Sequence, residues 1–327
     1  MQTKIVPVRE GLQQAAKLIR SGEIVAFPTE TVYGLGANAF DPVAVEKIFT
    51  AKGRPQDNPL IVHVCDRGMI ASVAKDISSL AWQLIDAFLP GSLTVVLPKR
   101  EEIPNVVTAG FATVGVRMPL SQEARDFIHA CGVPIAAPSA NTSGRPSPTR
   151  ALHVMEDLQG KIPLILQGED CRVGIESTVV ECTGDFPVLL RPGIVTAEEI
   201  RRVCGTDVLV PDSKNKLVNS PGVRYRHYAP SVPVYLNCDG DLNKIGRKVA
   251  ELPHCVVLCP QNVADSLNGI PCMSLGSTAE EAAQRIFDDL RKAEKTYENI
   301  VAVWTDRSPK GQGVLNRLTK SCGGKIF

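Results

Sequence analysis

The loop "KGRPQDNP" is the first stretch of this 327-residue sequence whose residue types point to chemistry. It places the cations Lys52 and Arg54 and the amide Asn58 among glycine and proline, just before the apolar run "LIVHV". Glycine and proline alone are consistent with a plain turn, because both interrupt regular structure. Ammonium and guanidinium groups, however, hold phosphates and carboxylates, so the loop is a candidate anion site.

Three further polar loops adjoin apolar, strand-like runs. They read "PTETVYGLG" from Pro28, "PSANTSGRPSP" from Pro138 and "GIESTVV" from Gly174. Each is consistent with an ordinary turn when it is considered alone. Open α/β sheets place ligand sites at the ends of their strands, so the joint presence of these loops favours one shared site.

Two polar residues lie inside apolar runs. His63 is consistent with a site residue or with a single polar residue on a half-buried strand. Arg117 in "GVRMP" needs a partner, because a buried guanidinium is costly unless it is paired. A substrate carboxylate would serve as well as a protein carboxylate, and the sequence leaves this choice open.

The common catalytic signatures are absent from the sequence. It contains no GxxxxGK[ST], GxSxG, HExxH or GxGxxG pattern, and its ten cysteines include no CxxC pair. The formal net charge of +1 gives no overall attraction for polyanions. The start of the chain does not resemble a secretion signal and no apolar run has the length of a membrane span, so we predict a cytoplasmic protein without membrane contact.

The elements that must position these loops alternate between helix and strand. Asp41 as N-cap, Pro42 at the first helical position and Gly53 after the end predict a helix that leads into the basic loop. Further along, Thr196 and Glu199 have the spacing of a capping box and predict another helix start.

The periodicity of apolar residues is lost between Gly205 and Ser231. A second set of α/β patterns begins after Ser231. We therefore predict a mixed α/β domain over residues 1–205, a linker or lid over 206–231 and a small parallel-sheet α/β domain over 232–327. The linker contains "SPGVRYRHYAP", in which aromatic and cationic residues alternate. Such a stretch is either a solvated charge run or a segment that folds over a nucleotide.

Together, "PTETVYGLG", "AKGRPQDNPLIVHV", "VGVRMP", "APSANTSGRPSPT" and "ESTVV…LLRPG" resemble the YrdC-like threonylcarbamoyl-AMP synthases over roughly residues 5–205. The KxR pair, Lys52 and Arg54, and the SxN pair, Ser139 and Asn141, are specific to that family. The linker and the C-terminal part resemble its long, two-domain form. The resemblance implies a twisted mixed-sheet YrdC-like domain followed by a Rossmann-like domain.

The activity implied by the resemblance is nucleotidyl transfer. Such an enzyme makes L-threonylcarbamoyl-AMP and pyrophosphate from L-threonine, bicarbonate or CO2, and ATP with Mg²⁺. This is the first step of the threonylcarbamoyladenosine modification of tRNA, and a separate transferase complex completes it. A weak contact with tRNA is a further expectation.

The resemblance also assigns roles by position, with Lys52 and Arg54 as the catalytic pair and no metal ligand from the protein. The implied ATP-binding residues are Lys52, Arg54, Asn58, Thr113, Ser139, Asn141, Ser147, Arg191, Tyr225 and His227. The implied threonine-binding residues are Thr31, His63, Arg117, Ala137 and Ser177.

The main alternative is an RNA-binding module without turnover, in which the same basic loops would contact phosphates. The near-neutral net charge argues against it. A carbamoyl-transfer role, as in the hydrogenase-maturation carbamoyltransferases, would require acylphosphatase-like and zinc-finger segments that do not occur in this sequence.

Overall fold

A computed structural model describes residues 2–211 and 227–327, which form two compact units. The first unit takes most of the chain up to residue 211. The second takes residues 227–327 together with two short segments from earlier in the chain, 144–147 and 173–175. The linker residues Tyr225 and Arg226 lie outside the described residues.

The first unit is built on a ten-stranded sheet. Its strands are β1 (Lys4–Pro7), β2 (Val25–Phe27), β3 (Gly34–Asn38), β4 (Ile61–His63), β5 (Leu93–Pro98), β6 (Thr113–Arg117), β7 (Ile135–Ala137), β8 (Leu164–Gln167), β9 (Thr178–Glu181) and β10 (Val188–Arg191). Their order across the sheet is β1-β8-β2-β3-β7-β4-β6-β5-β9-β10. Strands β4 and β6 pair in parallel, whereas β7 runs antiparallel to β4, so the sheet is mixed as predicted.

Helices cover both faces of this sheet. They are α1 (Val8–Arg20), α2 (Pro42–Lys52), α3 (Arg67–Val73), α4 (Ser79–Phe88), α5 (Asn105–Thr108), α6 (Gln122–Cys131), α7 (Ala151–Leu158) and α8 (Ala197–Cys204). Because side chains alternate along a strand, Phe27 packs in the core cluster of α1 and α6, whereas Ala26 belongs to the cluster of α2 and α4.

The helix that leads to the basic loop begins and ends as its sequence predicts. The Asp41 carboxylate accepts hydrogen bonds from the amides of Val43 and Ala44, and Pro42 occupies the first turn. The helix ends at Gly53, whose φ of 61° lies in the left-handed region that favours glycine. The capping box of Thr196 and Glu199 at α8 is also confirmed.

The second unit contains an all-parallel sheet with the order β11-β14-β12-β13. Its elements are β11 (Val234–Asn237), α9 (Leu242–Glu251), β12 (Cys255–Cys259), α10 (Gln261–Ala264), β13 (Cys272–Ser274), α11 (Ala279–Thr296), β14 (Asn299–Val303) and α12 (Gly311–Cys322). This confirms the predicted second sheet, in which the strands are parallel. The structure adds β13, α10 and α12, which the sequence patterns did not predict.

A buried arginine anchors the segment 144–147 inside the second unit. Arg291 of α11 is 1% exposed, and its Nη2 donates to the carbonyl of Pro146 at 2.6 Å. The amide of Ala229 donates to the carbonyl of Gly144 at 2.8 Å. Over residues 2–211 and 227–327, no helix combines the length and apolar character needed to cross a membrane.

Candidate active site

The loop after β2 is held by its own threonines. Thr29 Oγ1 donates to the carbonyl of Val32 at 2.7 Å and lies 2.9 Å from Thr31 Oγ1. The amide of Tyr33 donates to the carbonyl of Pro148 at 2.8 Å, which ties the loop to the segment after the SxN motif. Thr31 is fully buried, so its hydroxyl occupies a defined position.

Strands β4 and β6 bring two of the predicted threonine-binding residues together. His63 at the end of β4 is the register partner of Arg117 at the end of β6. On its other side, β4 pairs with β7, which ends at the buried Ala137. Because β4 and β7 are antiparallel, Ala137 is the register partner of Ile61 at the start of β4, and Ile135 is the partner of His63. The sheet therefore places the histidine beside the arginine, with the Ala137 backbone at the other end of β4.

His63 is a neutral imidazole at physiological pH. Burial, with the nearby charge of Arg117, lowers the pKa of its ring to about 3. The edge of its ring packs against Phe27 with a centroid distance of 5.9 Å. Among the described residues, its Nδ1 atom has no hydrogen-bond partner. The ring can therefore pack against or hydrogen-bond a ligand without adding charge to the pocket.

Arg117 is paired with a protein carboxylate. Its Nη2 lies 2.6 Å from Glu30 Oε1, and both side chains are nearly fully buried. Its Nε donates to the carbonyl of Gly91 at 3.2 Å. Burial alone would raise the pKa of Glu30, but the charge and hydrogen bond of Arg117 outweigh it and hold that pKa below its usual range. The structure thus answers the question left open by the sequence.

The basic loop and the SxN loop are joined through Lys52. This lysine is the last residue of α2 and is 1% exposed, and its Nζ donates to the carbonyls of Ser139 and Asn141. The amide of Ser143 in turn donates to the carbonyl of Lys52 at 2.9 Å. Ser139 Oγ hydrogen-bonds the Asn141 side chain. The KxR and SxN motifs, 87 residues apart in sequence, therefore form one structure.

Arg54 and Asn58 shape the rest of the basic loop. Arg54 Nη2 donates to the carbonyls of Asn58 at 3.2 Å and Pro59 at 3.3 Å. Asn58 is buried, and within the described parts of the chain its Oδ1 accepts no hydrogen bond. A buried amide oxygen of this kind is costly unless a ligand or water supplies a donor.

Ser177 lies at the centre of a second hydrogen-bonded group. Its hydroxyl is 2.8 Å from that of Thr94 on β5, and Arg191 donates to the Ser177 carbonyl at 3.0 Å and to its hydroxyl at 3.2 Å. Arg191 and Ser177, assigned by the resemblance to different ligands, are thus direct neighbours.

Four of the predicted residues have not yet been placed. Thr113 begins β6, four positions before Arg117, and is half-buried. Ser147 is buried in the second unit, and His227 also belongs to that unit. Tyr225 lies outside the described residues.

Two residues of this site were missed by the sequence analysis, Glu30 and Thr94. Glu30 stands inside the quoted loop "PTETVYGLG", and an acid in a loop next to an apolar strand was an available signal. Nothing local pairs it with Arg117, because 87 residues separate them. Thr94 gives no signal, since threonine is an ordinary strand residue.

Comparison with known proteins shows the family of this chain. The family model Sua5_yciO_yrdC, described as "Telomere recombination", matches residues 17–193, and a second model, described as "Threonylcarbamoyl-AMP synthase, C-terminal domain", matches residues 195–323. The chain belongs to the Sua5/YciO/YrdC family, the class that its mixed sheet and joined KxR and SxN loops define.

Similar proteins of comparable length support a finer assignment. Threonylcarbamoyl-AMP synthase of Pyrococcus abyssi is 45% identical over 99% of both chains, and that of Bacillus subtilis is 43% identical over 97% of this chain and 94% of the relative. The crystal structure of P. abyssi Sua5 with L-threonine superposes with a TM-score of 0.91 and 43% identity, covering 100% of this chain and 98% of the other. The predicted resemblance to long, two-domain threonylcarbamoyl-AMP synthases, which are nucleotidyltransferases, is confirmed.

Proposed function

We propose that this chain makes L-threonylcarbamoyl-AMP and pyrophosphate from L-threonine, bicarbonate or CO2, and ATP. One observation of the structure carries the proposal. Strand β7 ends at Ala137 and continues into the loop that binds Lys52, while its neighbour β4 ends at His63 beside Arg117. Because β4 and β7 are antiparallel, the loop after β7 lies at the start of β4, where the basic loop also enters this strand. A basic loop suited to phosphates and an arginine pocket suited to a carboxylate therefore lie at the two ends of one three-residue strand.

Arg117 is the group that would bind the threonine carboxylate. A guanidinium donates along several edges, and this one is already oriented by Gly91 and Glu30. Thr31 and Ser177 are buried hydroxyls, one or the other of which would hydrogen-bond the threonine side chain, and the backbone of Ala137 would complete the pocket. A site that hydrogen-bonds a substrate hydroxyl rejects analogues that lack it, which favours threonine over valine.

Lys52 and Arg54 would neutralise the phosphates of ATP. An oxygen of threonine carbamate attacks the α-phosphorus, the new P–O bond forms, and the bond to the leaving pyrophosphate breaks. Catalysis then depends on orientation and on stabilising the developing negative charge, and needs no side-chain nucleophile. Arg supplies a planar fork of donors and Lys a point charge.

The same proposal includes the other residues that the resemblance assigns to ATP. Asn58, Thr113, Ser139, Asn141 and Arg191 belong to the first unit and would contribute hydrogen bonds. Ser147 and His227 belong to the second, and Tyr225 is part of the same proposal.

Mg²⁺ would enter bound to the triphosphate, as part of the nucleotide substrate. Within the described ranges, there is no group of three or more His, Cys, Asp or Glu side chains that could hold a metal ion. Mg²⁺ is often carried mainly by phosphate oxygens and water, and we propose that arrangement here. We place the reaction in the cytoplasm, and its product would pass to a tRNA-modifying transferase complex, with at most a weak contact between this chain and tRNA.

The test is pyrophosphate release with ATP, Mg²⁺, L-threonine and bicarbonate, each omitted in turn. We expect release to require all of them, and Lys52→Ala to lower it by roughly 100-fold through lost charge stabilisation. Lys47→Ala is the matched control, because Lys47 lies on the same helix in a half-exposed pair with Glu23 and should keep the wild-type rate.

Arg117→Ala should raise the KM for L-threonine far more than the KM for ATP. Arg67→Ala, which removes an exposed arginine paired with Asp86, should leave both unchanged. Release that does not depend on threonine or bicarbonate would contradict the proposed function, and salt-dependent RNA binding without turnover would favour the RNA-binding alternative.

A further inference from the structure

The ion pair of Glu30 and Arg117 is buried in the first unit. The two side chains are 6% and 4% exposed, and Nη2 of Arg117 lies 2.6 Å from Glu30 Oε1. Ser92 Oγ donates to the same carboxylate oxygen at 3.1 Å, and the amide of Ser121 is 3.5 Å from Oε2. Glu30 is therefore itself held in place from two other elements.

These contacts leave Arg117 with one unused edge. Nε is bound to the Gly91 carbonyl and Nη2 to Glu30, whereas Nη1 has no hydrogen-bond partner within residues 2–211 and 227–327. Two protein acceptors on two different nitrogens fix both the position and the plane of a guanidinium. Nη1 is then the donor left for a ligand.

Glu30 and Arg117 both adjoin residues of the proposed threonine pocket. Glu30 directly precedes Thr31, and Arg117 is the register partner of His63. Because His63 stays neutral, the pair of Glu30 and Arg117 sets the charge at this end of the sheet. Without Glu30, Arg117 would be a buried cation with one anchor and freedom to turn its side chain.

We propose that Glu30 is a positioning residue for substrate binding, which holds Arg117 so that Nη1 faces the carboxylate of L-threonine. This inference rests on the proposed function of the pocket. Glu30 does not contact the substrate in this role and acts through Arg117 alone.

The test separates orientation from charge. Glu30→Gln keeps an acceptor oxygen at the same reach, whereas Glu30→Asp keeps the charge but withdraws it by one carbon. We expect Glu30→Ala and Glu30→Asp to raise the KM for L-threonine about tenfold, equivalent to 1.4 kcal/mol. Glu30→Gln should stay within about threefold of wild type, since the hydrogen bond is retained. The KM for ATP should be unchanged in all three.

A double variant provides the second measurement. If Glu30 acts only through Arg117, Glu30→Ala combined with Arg117→Ala should have the same KM for L-threonine as Arg117→Ala alone. Glu23→Ala, which breaks the half-exposed pair with Lys47, is the control and should change neither KM. Should Glu30→Ala not fold, the comparison of Glu30→Gln with Glu30→Asp decides the question.

Three results would overturn the inference. The first is an unchanged KM for L-threonine in Glu30→Ala and Glu30→Asp, and the second is a parallel rise in their KM for ATP. The third is a double variant whose increase in the KM for L-threonine is the product of the increases in the two single variants. Failure of the proposed function would look different, because the wild-type chain would then release no pyrophosphate in response to L-threonine. In that case L-threonine titration by calorimetry takes over. Wild-type binding that Glu30→Ala does not weaken, or no binding by wild type, would also overturn the inference.

Discussion

His63 should make the first unit sensitive to mild acid. Burial and the charge of Arg117 lower the pKa of its ring from 6.5 to about 3, and the opposing effect of Glu30 is smaller. The folded state therefore resists protonation, while the unfolded chain takes up a proton as the pH falls below 6.5. Stability from this residue is present above that pH and is lost progressively between pH 6.5 and 3.

The size of the effect follows from the two pKa values. Between pH 7 and pH 5, protonation of the unfolded state alone should remove about 2 kcal/mol from the free energy of unfolding. His63→Gln cannot take up this proton, so its loss over the same range should be smaller by about 2 kcal/mol. The comparison uses the change with pH, and so the absolute stability of the variant does not matter.

Tryptophan fluorescence in urea can follow the first unit separately. The chain has two tryptophans, Trp82 in the first unit and Trp304 in the second, so a Trp304→Phe background leaves Trp82 as the reporter. His129→Gln removes an exposed histidine and serves as the control. If His63→Gln loses as much stability as the control between pH 7 and pH 5, a buried neutral imidazole is the wrong description of His63.

Two further predictions concern the elements that carry the site. Asp41→Ala removes the N-cap of the helix that ends at Lys52 and should lower the stability of the first unit by about 1 kcal/mol in the same urea assay. Glu46→Ala changes an exposed residue of that helix and should leave the stability unchanged. Equal effects of the two substitutions would contradict the capping argument. Gly193→Ala would place a Cβ 2.6 Å from the Thr178 amide nitrogen, so we expect the free energy of unfolding to fall by about 1–3 kcal/mol. Gly184 has open space around it and should tolerate alanine. A Gly193→Ala variant with unchanged stability would refute the close packing at this position.

The elements of the site with local sequence signals were predictable. The helix before the basic loop carries its own start and end in Asp41, Pro42 and Gly53, and all three act as predicted. The short helix over Arg67–Val73 and the edge strand over Lys4–Pro7 were not predicted, because short elements give too few residues for a period to be visible.

Contacts between distant parts of the chain were not predictable from residue patterns. The need of Arg117 for a partner follows from its apolar surroundings, but the identity of that partner depends on how β6 and the loop after β2 meet. The link between Lys52 and the carbonyls of the SxN loop is of the same kind, since backbone acceptors leave no trace in a sequence. The family resemblance assigned Lys52, Arg117 and the SxN residues to one site, and the structure shows the hydrogen bonds and the ion pair that they form.

The chain enters the second unit three times, and this sets a limit on how the protein can be divided. A fragment that ends in the linker would retain residues 144–147 and 173–175 but lack the 227–327 part of the unit to which they belong. The complementary fragment would contain Arg291 without the Pro146 carbonyl that it binds. The chain therefore cannot be cut in the linker into two complete units. The C-terminal fragment made alone would be an incomplete domain, and the N-terminal fragment would carry two segments without the rest of their unit.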